Sequence, residues 1–315
     1  MSTPFSEFFM KINKISPQEH DFTSQLTAIA LKPKMLYYYG TLPENVGLKR
    51  SPAVAIVGAR KNTSYGEKIA YRAAYEAAKR GAVVVSGLAY GIDSIAHRGA
   101  LDAGGVTVAV LGTPIDKIYP TAHQGLAREI IERGGAVISE IPSGVKYGEA
   151  VEYGDKMDDY YTRTSFLYRN RLISGLSDVV MVVEARERSG SLNTAAHALE
   201  QGKELMVVPG DINRATSVGC NKLINQGALV YAGVEDLLEV LFPAASKKEV
   251  RQLRLPIGDS PVENAILKAL GQGVSDGEEI VKVVGLDVSE FNQAVTLMEI
   301  KGYIRALGGN RWMVK

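Results

Sequence analysis

The chain has 315 residues, 46% hydrophobic and 23% charged, which is enough apolar material for a large core and excludes a disordered chain. Its 36 basic and 35 acidic residues leave a formal net charge of +1, so any polyanion site has to be a local patch. A single cysteine, Cys220, excludes an internal disulfide framework, and no apolar run is long enough to cross a bilayer. A reducing cytoplasm is the expected compartment. The start of the chain, with Glu7 early and a short Phe8-Phe9-Met10 patch, lacks the pattern of a secretion signal.

Residues 1–45 read as an arm packed on the main domain, with a short helix near Thr23 to Leu31 and a short strand at Met35-Leu-Tyr-Tyr-Tyr39. From Ala53 the pattern sharpens. Ala53-Val-Ala-Ile-Val57 is a continuous apolar run closed by Gly58, as expected of a strand buried on both faces. Ser64 and Glu67 fit a capping box, and Ile69, Ala70, Ala73, Ala74, Ala77 and Ala78 come next at helical spacing up to Gly81. Strand and helix patterns then alternate through Val83–Val85, Val106–Leu111, Ala136–Ile138, Val179–Val183, Leu205–Val208 and Ala228–Tyr231. That alternation predicts an α/β fold, an extended Rossmann-like parallel sheet with helices on both faces, over residues 46–245. Residues 246–258 read as a polar, Pro-containing linker.

Residues 259–315 form a smaller pattern: a helix opened by Ser260-Pro261, a second capped by Ser275-Asp-Gly-Glu278, a third over Ser289 to Lys301, and a hairpin turning at Gly308-Gly309. Three helices and a hairpin predict a small winged-helix domain. Its third helix offers Glu290 and Glu299 against Lys301 alone, which argues against major-groove reading; Arg305 and Arg311 lie on the wing.

Ligands of open parallel sheets bind at the loops after the strands. A dinucleotide enzyme fits poorly: Arg60 stands where Gly-x-Gly-x-x-Gly needs glycine, and Ser86-Gly87 stands where a ribose-binding acid belongs. The loops instead bring backbone N–H groups at helix starts beside Arg60, Ser64, Ser86, Arg188, Ser189 and Ser191, which are phosphate-binding ingredients. In any such fold, glycine and serine also serve simply as caps. The stretch Phe166-Leu-Tyr-Arg-Asn-Arg171 adds Phe166, Arg169, Asn170 and Arg171, with Arg163 one turn upstream. Taken alone it reads equally as a solvated helix face with one core phenylalanine. Together with the loops it predicts a polyanion site in which guanidinium forks hold phosphates and an aromatic face meets a base.

No catalytic set emerges. His20, His97, His123 and His197 have no metal-binding spacing, Cys220 has no partner, and Asp93 and Glu140 are merely carboxylates near strand ends. His97 and His197 read as scaffold residues. Neither an enzyme activity, a metal nor a cofactor is expected.

Seven ordered motifs, Val57-Gly-Ala-Arg60, Ser86-Gly-Leu-Ala-Tyr-Gly-Ile-Asp93, Ala96-His-Arg-Gly-Ala-Leu101, Phe166-x-x-Arg-Asn-Arg171, Arg188-Ser-Gly-Ser-Leu192, Val208-Pro-Gly210 and Gly219-Cys-Asn-Lys-Leu-Ile224, closely resemble the DprA/Smf family of DNA-processing proteins. The resemblance implies a Rossmann-like domain that binds single-stranded DNA, forms a homodimer and loads the RecA recombinase during natural transformation. It places Arg60, Arg163 and Arg171 on phosphates and Phe166 against a base, with Asn170, Ser86-Gly87 and Ser189-Gly190-Ser191 lining the pocket. It names no partner for the winged helix.

Two departures stand out. An acidic, tyrosine-rich segment lies between Ile141 and Tyr160, which could shield the pocket or act as a lid but is expected as a solvated loop, and Gly112-Thr-Pro replaces an expected Gly-Cys-Gly. The alternative readings are a nucleotide sensor signalling through the winged helix and a nucleotide hydrolase. The hydrolase reading suffers because His197 stands where its glutamate, three residues after Thr194, belongs.

Overall fold

The computed structural model describes residues 11–44, 50–153, 156–243, 258–271 and 274–314. The chain divides into two compact units, Met1–Ala245 and Ser246–Lys315. Of the expected linker at 246–258, all but Gly258 lies outside the described residues.

In chain order the strands of the first unit are β1 (Asn13–Ile15), β2 (Leu36–Gly40), β3 (Ala53–Val57), β4 (Val83–Ser86), β5 (Thr107–Leu111), β6 (Ala136–Ser139), β7 (Ala150–Tyr153), β8 (Lys156–Tyr160), β9 (Val179–Val182), β10 (Glu204–Val207) and β11 (Leu229–Val230). All but β7 and β8 join one sheet, ordered β1-β2-β6-β5-β4-β3-β9-β10-β11. From β6 to β11 every pairing is parallel. The continuous apolar runs are the reason: all five residues of β3 are buried, which suits a strand covered on both faces. The expected parallel sheet over residues 46–245 is extended at one edge by the arm, whose β2 runs antiparallel to β6 and whose β1 runs antiparallel to β2. Among the described residues no crossover helix joins these strands to the sheet, so nothing forces them into the parallel direction.

Helices α1 (Ser64–Lys79), α2 (Ile92–Asp102), α3 (Gln124–Glu132), α4 (Ser165–Gly175), α5 (Gly190–Glu200), α6 (Val218–Asn225) and α7 (Val234–Leu241) complete the layers. Ala70, Ala73, Ala77, Ile92, Ala96 and Leu237, on α1, α2 and α7, pack on Val54, Ile56, Val84 and Met181. On the opposite face Leu172, Ile173, Ala195 and Leu223, on α4, α5 and α6, meet Ala55, Val57, Val85 and Val180. Small residues let α1 and α2 approach closely; a Cβ on Gly99 would lie 2.5 Å from the Tyr71 carbonyl oxygen. The arm packs here too, through Phe22, Leu26 and Ile29, although its expected helix is a turn at Asp21–Ser24 followed by a 3-10 turn at Gln25–Ala28.

The capping box predicted on Ser64 is displaced by one residue. Thr63 is the N-cap: its Oγ1 accepts from the Gly66 N–H (3.3 Å) and donates to buried Glu184 (2.6 Å), which also accepts from the Thr63 N–H (2.9 Å). A contact 121 residues away fixes the register that two adjacent hydroxyl residues leave open.

The segment expected as a solvated loop is a packed hairpin, β7 antiparallel to β8. Ile141, Val151, Tyr153 and Tyr161 form a small core of their own. Tyr153 stacks on Tyr168 at 4.6 Å and donates its hydroxyl to Ser165 Oγ (2.5 Å), tying the hairpin to the first turn of α4. Exposed and buried positions alternate along Ala150–Tyr153, so Val151 and Tyr153 share the packed face.

The second unit contains α8 (Pro261–Gly271), α9 (Gly277–Val284), α10 (Val288–Ile300) and the antiparallel hairpin β12 (Ile304–Gly308) and β13 (Arg311–Val314). Ile266, Leu267, Ile280, Phe291, Val295, Met298 and Ile304 form its core, and Trp312 packs edge-on to Phe291 at 5.4 Å. The second cap is corrected: Asp276, not Ser275, accepts from the Glu278 and Glu279 N–H groups. On α10 the exposed positions include Val288, Glu290, Leu297, Glu299 and Ile300, and the adjoining Lys301 is engaged by Asp259 and Glu263, each at 2.8 Å. Those hydrogen bonds hold the Lys301 pKa above the usual lysine range. Among the described residues, the third helix of this unit therefore presents no free cation to a groove.

Candidate functional site

The strand order reverses direction between β3 and β9, with β4 leading away on one side and β10 on the other. Crevices at such points, beyond the C-terminal strand ends, are where parallel sheets hold ligands. A cleft of about 480 Å³ opens there. Its walls come from the loop after β3 (Gly58 to Lys61), the loop after β9 (Arg186 to Ser189), the start of α5 and the outward side of α4.

Arg60, Lys61, Arg186 and Arg188 stand exposed around the rim. Half-buried Phe166 and Leu167 form part of its apolar lining, with Leu167 46% exposed. Room for the phenyl ring depends on Gly112, where a Cβ would lie 2.8 Å from Phe166 Cδ1; this is a physical role for the first residue of the unusual Gly112-Thr-Pro. The start of α5 faces the same cleft. Ser189 caps it, its Oγ accepting from the Ser191 N–H (3.4 Å) and lying 2.8 Å from Ser191 Oγ, with Gly190 between them. Four rim cations and a helix N-terminus make this a place for anions.

The Arg-Asn-Arg stretch behaves differently from expectation. Arg171 is 3% exposed and bound through both oxygens of Glu140 (2.8 Å each), so it lies inside the fold and off the cleft. Its expected place on phosphate is corrected: helical geometry sends the residue inward to the end of β6. Arg169 is 6% exposed and reaches beneath the cleft, donating to the carbonyl oxygens of Gly87 (2.9 Å) and Val110. Burial lowers its pKa to about 10, opposed by the attraction of Asp93. Buried Asp93 in turn accepts from the Gly87 N–H (3.1 Å), and burial raises its pKa against the pull of Arg169. The pair holds the Ser86–Gly91 loop, in which fully buried Leu88 sits at φ +58°, a left-handed conformation costing a non-glycine residue about 1 kcal/mol. Asn170 lines the cleft and donates to the Gly190 carbonyl (3.2 Å) and Asn193 Oδ1 (3.1 Å), joining α4 to α5.

The remaining expected residues scatter. Ser86 is buried and donates to the Ile56 carbonyl (2.7 Å), so it serves the sheet. Gly87 borders a narrow recess beside the cleft, and Ser64 lines a different groove between α1 and α2. Arg163 is exposed in the turn before α4, outside the cleft lining. Lys61 and Arg186 also line the cleft and are not among the residues expected there from the sequence, although both stand in the loops it points to.

Of the scaffold histidines, His97 is fully buried. Thr107 donates its single hydroxyl hydrogen to the Val84 carbonyl, so His97 Nδ1 must be the donor in the 2.7 Å contact with Thr107 Oγ1. Burial, reinforced by His123 and Arg169, lowers the His97 pKa to about 3. His197 lies at the surface against Glu200. Among the described residues no His, Cys, Asp and Glu side chains gather as a metal set, and no helix is long and apolar enough to cross a membrane.

Sheet, switch-point cleft and cationic rim define a Rossmann-like module with a cation-lined cleft, in a chain that also carries a winged helix. Residues 13–242 match the family model described as DNA recombination-mediator protein A, and residues 251–310 match that of the DprA winged helix domain. Protein Smf of Escherichia coli K12 is 35% identical over 305 residues, spanning 93% of this chain and 75% of that protein. DNA processing protein DprA of Streptococcus pneumoniae R6 is 35% identical over 233 residues, 74% of this chain and 76% of its own. The X-ray structure of S. pneumoniae DprA aligns with a TM-score of 0.60 at 36% identity, covering 74% of this chain and 75% of that one. DNA processing protein A of Helicobacter pylori, described as having a unique single-stranded DNA binding mode, aligns with a TM-score of 0.58 at 32% identity, covering 74% and 96%. The chain belongs to the DprA/Smf family of DNA-processing proteins.

Proposed function

We propose that this protein binds single-stranded DNA without sequence preference in the switch-point cleft and promotes RecA loading during DNA uptake. The observation that carries the reading is the gathering of Arg60, Lys61, Arg186 and Arg188 around Phe166 at the start of α5. Exposed cations on long side chains track a phosphate chain whatever its sequence, and an aromatic face stacks on any base. The H. pylori relative, described as a single-strand binder, supports the polymer over a mononucleotide. RecA loading, a homodimeric state and a cytoplasmic location rest on family membership alone.

No hydrolytic step is proposed: Asp93, the carboxylate in the cleft lining, is buried and already accepts from the Gly87 N–H, so it is engaged with the protein. The test is fluorescence-anisotropy binding of oligo-dT at several lengths and two salt concentrations, against duplex DNA and mononucleotides. Affinity that grows with length and falls steeply with salt is the expected result. Saturation by a mononucleotide with no gain from length would replace this reading with a nucleotide sensor.

A further inference from the structure

The cleft does not end at Phe166. Beyond it lies a narrow recess that shares Arg60, Ala89, Phe166 and Arg169 with the cleft and adds Tyr90 and Tyr119. Tyr119 packs against Phe166 at a centroid distance of 5.6 Å, tilted by 55°, yet remains 51% exposed. Tyr90, 48% exposed, meets the His123 ring edge-on at 4.9 Å. Two large rings left half in water beside a third are unusual for side chains whose burial is favourable.

Both rings are also held in place. The His123 N–H donates to the Pro120 carbonyl (2.9 Å), next to Tyr119, while His123 Nδ1 is 2.7 Å from the Leu88 carbonyl, two residues before Tyr90. One histidine therefore links the segments that carry the two tyrosines. Preorganised aromatic faces beside a cation are what successive bases of a single strand require: each base finds a face without sequence reading, and the cation meets the phosphate between them.

We propose that Tyr119 and Tyr90 form a second base-stacking position contiguous with Phe166, and that Arg60 serves the phosphate joining the two positions. The proposal rests on the single-strand reading above and deepens it, since it assigns the cleft at least two consecutive nucleotides and a direction of exit toward His123. A duplex cannot present unpaired base faces to both positions, so the platform also favours single strands.

The test compares full-length wild type with Tyr119→Leu, Tyr90→Leu, Tyr119→Phe and Phe166→Leu over an oligo-dT series. A parallel cross-linking measurement uses oligonucleotides carrying 5-iodouracil. Tyr119→Leu is expected to weaken binding of the longer oligonucleotides by about five- to 150-fold, the range for one stacked base. It should leave the shortest ones nearly unaffected, and Tyr119→Phe should retain wild-type affinity because the ring face does the work. Cross-links should map to Tyr119 or Tyr90 as well as to Phe166. If Phe166→Leu weakens binding while both leucine variants keep the wild-type length dependence and neither tyrosine cross-links, the second position is overturned and the single-strand reading survives. If wild type binds no strand at any length, both fall together. Should Tyr119→Leu fail to fold, the cross-link map and Tyr90→Leu still decide.

Discussion

Arg169 and Arg171 on α4, and Arg60, Arg186 and Arg188 on the neighbouring loops, are the same side chain in opposite settings. The first two are buried and committed to Gly87, Val110 and Glu140, whereas the other three are exposed at the cleft. The interior pair shapes the cleft, and the rim is the part left open to solvent. A buried guanidinium loses its hydration and must be compensated by fixed partners, so it is not free to track a phosphate chain. An exposed one keeps its mobility and long reach at little cost to folding.

The sharpest way to break this contrast is to substitute across it. Arg171→Met leaves the Glu140 carboxylate buried without its arginine and should destabilise the first unit by roughly 3–5 kcal/mol in denaturant titration. At temperatures where the variant stays folded, strand affinity should match wild type. Lost binding with unchanged stability would return Arg171 to the phosphates. Phe166→Ala should show the reverse, a loss of about 1–3 kcal/mol in affinity with little change in stability.

Arg60→Ala belongs to the rim and should weaken every oligonucleotide sequence alike. It should also reduce the slope of log affinity against log salt by about 0.7, the value for one phosphate contact on a single strand. A comparable effect from Arg169→Met with no loss of stability would erase the distinction between rim and interior.

His97 sharpens the interior side through pH. Its folded-state pKa of about 3 lies below the unfolded value of about 6.5, so the unfolded chain binds the proton first. The contribution of His97 is full above pH 6.5 and is lost as pH falls through the window toward 3. At pH 5.5 the loss amounts to about 1.3 kcal/mol relative to pH 7. His97→Asn should flatten that slope in urea titrations at the two pH values, while rim variants leave it unchanged. The smallest effect is expected from removing residues 246–315, which should leave the melting transition and strand affinity of the first unit nearly as they were. A large loss of binding there would move the DNA site to the winged helix.

Much of the architecture is legible in the chain itself. Ala53–Val57 and Val179–Val183 are apolar without alternation, which fits only strands covered on both faces, and Gly58 punctuates the first where it ends. The loops that wall the cleft are legible for the same reason, since they connect those strands to their helices. The direction of Arg171 is not legible, because it is set by Glu140, 31 residues away in sequence. The N-cap at Thr63 escapes for a similar reason: Ser64 is as good a cap locally, and the buried Glu184 decides between them. The hairpin at Ala150–Tyr160 is hidden by its acidic composition, since the tyrosines that pack it also suit an exposed loop.

The Arg171–Glu140 pair clasps the chain on either side of the β7–β8 hairpin, joining the end of β6 to α4 at the base of the intervening segment. Chain length between two clasped points costs little, because closure entropy rises only slowly as a loop grows. Residues added between the two clasped points therefore cost little closure entropy, which makes that stretch a place where a reporter domain could be spliced in.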